Sequence, residues 1–249
     1  MKKVLSLMLA GIALLANQSH AVTFFADNFE AAGADGRTNL GAPWEMNKQV
    51  FQAPTVANAD GVLGGYVDGY YPGTTFGPNA IVSGQGGVDQ GLYQGKLWPD
   101  YDGYWGDWTG NKVVKTSLLV SIVSLSAADI APGQIQMDFD YKLQPTLGPN
   151  TSVYSFAKIL SADWSQTWYT DWKQLTGGDW NHGSNVITFD GNQVGANLQY
   201  GFVVASSSYE PNGVFVDNVT ISNVPEPSTA SLLAFGVAGL IATRLRRRS

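Results

Sequence analysis

One carboxylate in this chain falls where a carboxylate is costly. Residues 214–221 alternate in polarity like a half-buried strand, which predicts that Asp217 lies on the same apolar face as Phe215 and Val219. Burying a carboxylate is unfavourable unless it is paired with a cation, bound to a metal or hydrogen-bonded. No Lys or Arg lies close to Asp217 in sequence, so a metal ion or backbone amides remain as its partners.

A second candidate segment interleaves aromatic rings with carboxylates. It reads Trp98-Pro-Asp-Tyr-Asp-Gly-Tyr-Trp-Gly-Asp-Trp108, and exposed rings of this kind stack on the apolar faces of sugars while polar groups bond the hydroxyls. The candidate sugar-binding residues are Trp98, Tyr101, Tyr104, Trp105 and Trp108. The alternative is that these rings fill the core between two sheets.

A third group, in residues 163–180, repeats the combination of rings and acids. Its aromatic members are Trp164, Trp168, Tyr169, Trp172 and Trp180. The same two interpretations, sugar platform and core, are both open for it.

Few kinds of catalysis are compatible with this composition. Cysteine is absent, which excludes disulfides, thiolate catalysis and cysteine-ligated zinc. Only two histidines occur, and His182, in the turn-like stretch Gly178–Gly183, is expected to be an ordinary loop residue. Motifs for a serine nucleophile or a phosphate loop are missing. We therefore predict that the protein is not an enzyme.

The elements that must position these residues are short strands. Runs rich in Val, Ile, Phe and Tyr are separated by Gly, Pro, Asn and Asp, a pattern typical of an all-β sandwich. Residues 127–130 are expected to form a short turn between two strands. The predicted strands are 113–125, 135–143, 153–160, 186–189, 198–205 and 214–221.

Both ends of the chain have the composition of processing segments. Residues 1–21 begin with Lys2 and Lys3, continue with an apolar run and end in Ser19-His20-Ala21, which predicts a secretory signal peptide cleaved after Ala21. The body is then residues 22–223. It has eight basic residues against 19 acidic ones, a formal charge of −11, which argues against nucleic-acid binding and suits divalent cations.

The C-terminal segment, residues 224–249, has three parts in a fixed order. The stiff, extended motif Val224-Pro225-Glu226-Pro227-Ser228-Thr229 is followed by the apolar residues 230–243 and the basic end 244–249. The apolar part is predicted to be a short transmembrane helix, with the arginines on the cytoplasmic side and the body beyond the inner membrane.

Together these three parts resemble the PEP-CTERM sorting signal of Gram-negative bacteria that make exopolysaccharide. The resemblance implies recognition by an exosortase, which removes the tail and leaves the protein in the cell envelope or extracellular matrix. A permanent single-span anchor is the alternative, and it leaves the topology unchanged.

Two further segments, Asp27-Asn-Phe-Glu30 and the strand that contains Asp217, resemble the paired ends of jelly-roll carbohydrate-binding modules. This resemblance implies a single jelly roll over residues 22–223, whose first and last strands lie together at one edge. It also implies a structural calcium ion, with Glu30 and Asp217 as candidate ligands and Asp27 and residues 33–38 as weaker ones. We therefore expect a non-catalytic envelope or matrix protein that binds exopolysaccharide. The alternatives are a structural or adhesive protein without a sugar site and a glycan-active enzyme.

Overall fold

The computed structural model describes residues 21–34, 40–52, 66–73, 79–99, 112–131, 133–145, 147–208 and 213–224. The strands are β1 (Thr23–Asp27), β2 (Glu45–Gln52), β3 (Tyr66–Gly73), β4 (Asn79–Ser83), β5 (Tyr93–Leu97), β6 (Lys112–Ile122), β7 (Gln134–Leu143), β8 (Thr151–Leu160), β9 (Thr167–Gln174), β10 (Asn181–Thr188), β11 (Asn197–Ser206) and β12 (Val214–Val224). Two short helices are α1 (Glu30–Ala34) and α2 (Ala127–Ile130).

The strands form two six-stranded antiparallel sheets. Sheet A has the order β10-β7-β12-β5-β4, with β1 also paired to β12, and sheet B has the order β3-β2-β6-β11-β8-β9. From β6 onward the chain passes back and forth between the sheets, as in a jelly-roll sandwich. The predicted all-β fold class is confirmed.

The core lies between the two sheets and follows the predicted alternation. Along β7, Ile135, Met137 and Phe139 are buried, and the residues between them are partly exposed. The Phe139 ring meets Phe202 of β11 edge to face, with 4.9 Å between the ring centroids, and so joins the sheets. Burying one such side chain contributes about 1.5–3 kcal/mol.

Local details differ from the sequence-based expectations in three places. The strand expected over 113–125 ends at Ile122, and the strand expected from 186 begins at Asn181. The expected turn at 127–130 is one turn of helix, because Ser126 and Asp129 form a reciprocal capping box at its start.

The first and last strands pair as expected, and in the described residues β1 has β12 as its one neighbour and so lies at an edge of sheet A. Thr23 lies opposite Ser222, and Asp27 lies opposite Val219. Strand β12 pairs with β7 along one side, and with β5 and β1 along the other. The pairing brings Asp27 and Glu30 close to Asp217.

Both processing segments fall almost wholly outside the described residues. They comprise the predicted signal peptide, residues 1–20 of which are not described, and residues 225–249 of the tail. In the parts of the chain that are described, no helix is long and apolar enough to cross a membrane. The division at residues 21 and 223 stays a prediction.

Candidate functional site

A bulge in β12 decides which way Asp217 points. Asp217 lies directly opposite Asp140 of β7, but the next pair is Thr220 with Asp138, so β12 carries one extra residue there. Asn218 adopts a positive φ of 49° at this point. Asp217 therefore shares the outer face of sheet A with Asp140, whereas Val219 faces the core.

The predicted face of Asp217 was thus wrong. Strict alternation places Asp217 with Val219, but the extra residue reverses the alternation between them. Phe215 does share the face of Asp217, since it lies opposite Lys142 on the outer side. The prediction that Asp217 is buried is nevertheless correct, because its side chain has 0% exposure.

The segment between β4 and β5, residues 84–92, covers this part of the outer face. Its Gln90 side chain donates to Asp140 Oδ2 at 2.9 Å. Asn218 Nδ2 donates to the same oxygen at 2.8 Å and to the Asp89 carbonyl at 3.1 Å. Lys142 Nζ reaches the Gln85 carbonyl at 3.0 Å. These bonds hold the segment over the bulge and exclude water from Asp217.

The turn after β1 brings Glu30 to the same region. Asp27 Oδ1 accepts from the Phe29 amide at 2.7 Å, and Asp27 Oδ2 accepts from Trp44 Nε1 at 2.8 Å. Phe29, with φ of 60°, turns into the core and stacks on Trp44. Glu30 Oε1 then accepts from the Tyr93 amide of β5 at 2.8 Å. Asp27 shapes the turn, and the negative charge of Glu30 acts on Asp217.

Asp217 has an unfavourable electrostatic environment. Oδ1 accepts from the Asn218 amide at 2.7 Å, but the buried Oδ2 has no hydrogen-bond partner. Burial, and then the negative charges of Glu30, Asp140 and Asp27, raise the pKa of Asp217 to about 6. The sequence analysis allowed for backbone amides as the only partners of Asp217. In the structure, a backbone amide bonds only one of its two carboxylate oxygens.

Asp140, directly opposite, is shifted the other way. Its partial burial acts to raise its pKa, but hydrogen bonds from Asn218, Gln90 and His182 outweigh burial and hold the pKa below its ordinary value. Of the two, the ionised form of Asp140 is therefore stabilised, and the ionised form of Asp217 is destabilised.

The fit of this region to a calcium ion is partial. An orphaned buried oxygen in a negative field is a suitable donor, and Glu30 supplies a second carboxylate. Both oxygens of Asp27 already accept N–H groups, so Asp27 suits the turn better than an ion. Among the described residues, no three Asp, Glu, His or Cys side chains are gathered to hold a metal. Backbone carbonyls and water would have to complete the shell.

His182 lies on β10 and not in a loop, which corrects the sequence-based expectation. Its register places it opposite Asp140. Nδ1 lies 3.2 Å from Asp140 Oδ1, and Nε2 lies 3.5 Å from Asp138 Oδ1. The sequence signal for strand was hidden by the Gly and Asn around it.

Of the candidate sugar-binding aromatic residues in 98–108, here called the first aromatic group, only Trp98 is described. That side chain is 40% exposed, and Lys96 Nζ lies 3.3 Å from the centroid of its ring. Burial lowers the pKa of Lys96 to about 8. Tyr101, Tyr104, Trp105 and Trp108 lie outside the described residues. The lysine covers one face of the Trp98 ring.

The aromatic residues of 163–180 divide between the two interpretations, sugar platform and core. Trp172 packs on Phe156, with 4.9 Å between the ring centroids, and half-buried Trp180 donates from Nε1 to the Gln85 carbonyl at 2.7 Å. The other three rings are between 43% and 47% exposed: Trp164, Trp168 and Tyr169. Of the five rings, these three are the most exposed.

Comparison with solved structures finds carbohydrate-binding modules. One, from the "beta-sandwich super family", shares 14% identity over 57% of this chain and 52% of that chain, with a TM-score of 0.38. TmCBM61, solved with β-1,4-galactotriose, shares 12% over 78% and 92%, at 0.39. The C-terminal family 22 module of Clostridium thermocellum Xyn10B shares 8% over 82% and 96%, at 0.41. This chain spans about half the length of the first. The sandwich architecture itself is established by the strand pairings above.

No curated protein matches the chain significantly. The model of the PEP-CTERM protein-sorting motif matches residues 223–248. This match contains the extended Pro-Glu-Pro motif, the apolar stretch and nearly all of the basic end, in the order that the sequence analysis describes. The β-sandwich is therefore followed directly by a PEP-CTERM sorting signal.

Proposed function

We propose that this chain is an exported, non-catalytic polysaccharide-binding protein that an exosortase releases from its C-terminal tail. The observation that carries the proposal is the sorting motif at residues 223–248, which begins at the last two residues of the last strand. The expected signal peptide and the basic C-terminus support a location of the sandwich beyond the inner membrane. The destination is the cell envelope or the extracellular matrix, where exopolysaccharide is the available ligand.

The environment of Asp217 supports a non-catalytic role. A glycosidase needs two carboxylates that both reach the substrate, and their pKa values are usually pushed apart. Asp217 and Asp140 have pKa values shifted in opposite directions, but the side chain of Asp217 has no exposed surface. Substrate cannot reach this pair, so its chemistry suits ion binding better than hydrolysis.

The proposal includes a structural calcium ion beside Asp217, in the region that residues 84–92 cover. Asp217 Oδ2 and the Glu30 carboxylate are the protein ligands, and Asp27 holds the turn that presents Glu30. A bound cation would offset the repulsion among carboxylates that otherwise raises the pKa of Asp217. Its role would be to fix β1, β5 and β12 together.

The sorting part is tested in a host with and without its exosortase gene. Pro225→Ala and Glu226→Ala are expected to leave the full-length chain in the inner membrane, because the recognised extended motif is altered. Pro211→Ala is the matched control, since Glu210-Pro211 is a similar dipeptide within the body. Intact mass spectrometry of envelope and medium fractions measures tail removal. Equal processing in the exosortase-deleted host would contradict the proposal.

The binding part is tested with the processed protein from that host on a glycan array and on the host's own exopolysaccharide. Retention on at least one glycan is the expected outcome, and Trp105→Ala and Trp108→Ala test the first aromatic group directly. Absence of binding to every glycan would favour a structural or adhesive protein instead.

A further inference from the structure

Exposed apolar side chains gather at one end of the sandwich. Among the described residues, three loops and the start of β9 carry Val123, Trp164, Trp168, Tyr169 and Val194 there, each more than two fifths exposed. The loops are residues 123–126 after β6, 161–166 between β8 and β9, and 189–196 between β10 and β11, and Trp168 and Tyr169 are the second and third residues of β9. A cluster of exposed apolar groups on one surface indicates a binding site more often than scattered ones do.

The buried side chain of Asn197 ties these loops together. Its Oδ1 accepts from the Ser124 amide at 3.0 Å, and its Nδ2 donates to the carbonyls of Ser161 and Ala162 at 3.0 and 3.1 Å. The Leu125 amide also donates to the Ala196 carbonyl at 2.9 Å. The three loops therefore form one continuous surface with a defined shape.

The turn between β8 and β9 is the most tightly held part of this surface. Asp163 Oδ1 accepts from the Ser161 hydroxyl at 2.6 Å and from the Ser165 hydroxyl and amide at 2.8 and 3.1 Å. The Ser161 amide donates to the Gln166 carbonyl at 2.9 Å, which closes the turn. The hydrogen bonds from Ser161 and Ser165 also lower the pKa of Asp163 to about 2, so the network persists at neutral pH.

Trp164 sits at the tip of this turn in a conformation that its side chain disfavours. Its φ is 64°, in the left-handed region where glycine is the default residue and a bulky side chain is strained. The side chain is 43% exposed and lies outside the core between the sheets, so core packing does not account for a tryptophan at this position. Strain of this kind in a rigid turn is characteristic of ligand-binding positions.

The charge of the surface selects the kind of ligand. Loops 123–126, 161–166 and 189–196, together with Thr167–Tyr169 of β9, contain Asp163 and Asp190 but no Lys, Arg or His. An acidic surface repels uronate, sulfate and phosphate groups. The remaining chemistry is aromatic faces with hydroxyl and amide groups beside them, including Gln166, whose Oε1 lies 3.4 Å from Trp168 Nε1. A neutral sugar offers the matching C–H faces and hydroxyls.

We propose that Trp164 and Trp168 form a stacking platform for the pyranose rings of a neutral polysaccharide, with Ser165 and Gln166 bonding its hydroxyls. The platform rests on the proposed polysaccharide-binding function and gives it a site at the β8–β9 end of the sandwich. It differs from the segment 98–108 that the sequence singled out. Trp98 is the weaker platform, because Lys96 covers one face of its ring.

The test is affinity electrophoresis of the processed protein in gels that contain neutral β-glucan, xylan or galactan, with alginate as the acidic comparator. Wild-type protein is expected to be retarded by at least one neutral gel, equally at low and high NaCl. Trp164→Ala and Trp168→Ala are each expected to weaken that binding about tenfold or more, as loss of a central aromatic contact does. Val88→Ala removes a fully exposed apolar side chain from the loop over sheet A and is the matched control.

Trp164→Gly separates a binding role from a structural one. Glycine accepts the positive φ, so this variant is expected to melt at or above the wild-type temperature and yet to lose binding. Loss of folding together with binding in this variant would overturn the platform.

Two other outcomes are informative in different ways. Full binding by the Trp164 and Trp168 variants, with loss only in Trp98→Ala, would overturn the platform but leave the proposed function intact. Failure of the wild-type protein to bind any neutral gel, or binding to alginate alone, would overturn the neutral platform. A wild-type protein that binds none of the gels would also count against the proposed function.

Discussion

At Asp217, one inserted residue turns a carboxylate from the core face to the outer face of sheet A, where it lies opposite Asp140. The loop 84–92 then removes this carboxylate from water, and Glu30 and Asp140 add their negative fields. Its Oδ2 has no hydrogen-bond partner. The site is therefore costly by itself at neutral pH, and the proposed cation would offset that cost.

The cost of Asp217 without a cation has a definite pH dependence. A carboxyl whose folded pKa is about 6 and whose ordinary value is 3.8 destabilises the fold above about pH 6, and the penalty vanishes below about pH 4. In EDTA, Asp217→Asn is therefore expected to raise the free energy of unfolding at pH 7 by up to about 3 kcal/mol. Urea unfolding at pH 7 and pH 4 measures it. The same gain at both pH values would contradict this account.

Calcium is expected to reverse that order at neutral pH. Saturating calcium should stabilise the wild-type protein by about 2.7 kcal/mol at 100 times the dissociation constant, whereas Asp217→Asn and Glu30→Gln should lose the response. Asp138→Asn is the matched control, because Asp138 lies on the same face opposite Thr220 and does not contribute to the shift of Asp217. Scanning calorimetry measures the melting temperatures, and a wild-type value unchanged by EDTA would exclude the ion.

At the scale of elements, the turn after β1 packs against β5 at Gly95, where the absence of a side chain leaves room for the Phe29 ring. A Cβ atom at Gly95 would lie 2.7 Å from Phe29 Cζ and 3.1 Å from Val216 Cγ2, so only glycine lets the Phe29 ring lie flat there. Phe29 is fully buried and stacks on Trp44. The position of Glu30, the next residue, depends on this contact.

Gly95→Ala is therefore expected to destabilise the fold by about 1–3 kcal/mol, the usual cost of overpacking a core. Gly178→Ala is the matched control, because a Cβ atom at Gly178 meets nothing within 4 Å, and its effect should stay within about 0.5 kcal/mol. Urea unfolding in calcium-free buffer compares the two variants. Equal midpoints would show that Phe29 is not held by this contact.

At the scale of the whole molecule, the proposed processing would change the charge of the protein. The full chain has a formal charge of −6, and the body, residues 22–223, has −11, because six of the 14 basic residues lie in the two end segments. The delivered domain is thus strongly acidic. A high negative charge keeps it soluble and attracts divalent cations, and it disfavours binding to acidic polymers.

Tail removal should consequently be visible as a charge change. Loss of Lys2 and Lys3 with the signal peptide gives a formal charge of −8, and loss of residues 224–249 gives −11. The processed form is expected to focus at a lower pH than the membrane-bound form in native isoelectric focusing, with the smaller mass confirmed by spectrometry. A single species of constant charge in membrane and medium would contradict removal of the tail.

The sequence alone determined the features that depend on neighbours along the chain. Runs rich in Val, Ile, Phe and Tyr located β7, β8, β11 and β12, with period-two alternation in β7, and the composition of the C-terminal segment was sufficient to identify the sorting tail. Such signals are local, because strand faces and processing motifs are set by adjacent residues. The paired ends that bring Glu30 near Asp217 came from a resemblance, and the pairing of β1 with β12 is confirmed.

Tertiary structure alone decided what those residues meet. The bulge at Asn218, the loop 84–92 over Asp140 and the union of three loops by Asn197 all join residues distant in sequence. Likewise, Trp164 and Trp172 look alike in the sequence, yet one ring is exposed on a rigid turn and the other packs on Phe156. Burial depends on which strand lies alongside and what covers it, and no local pattern of residues contains that information.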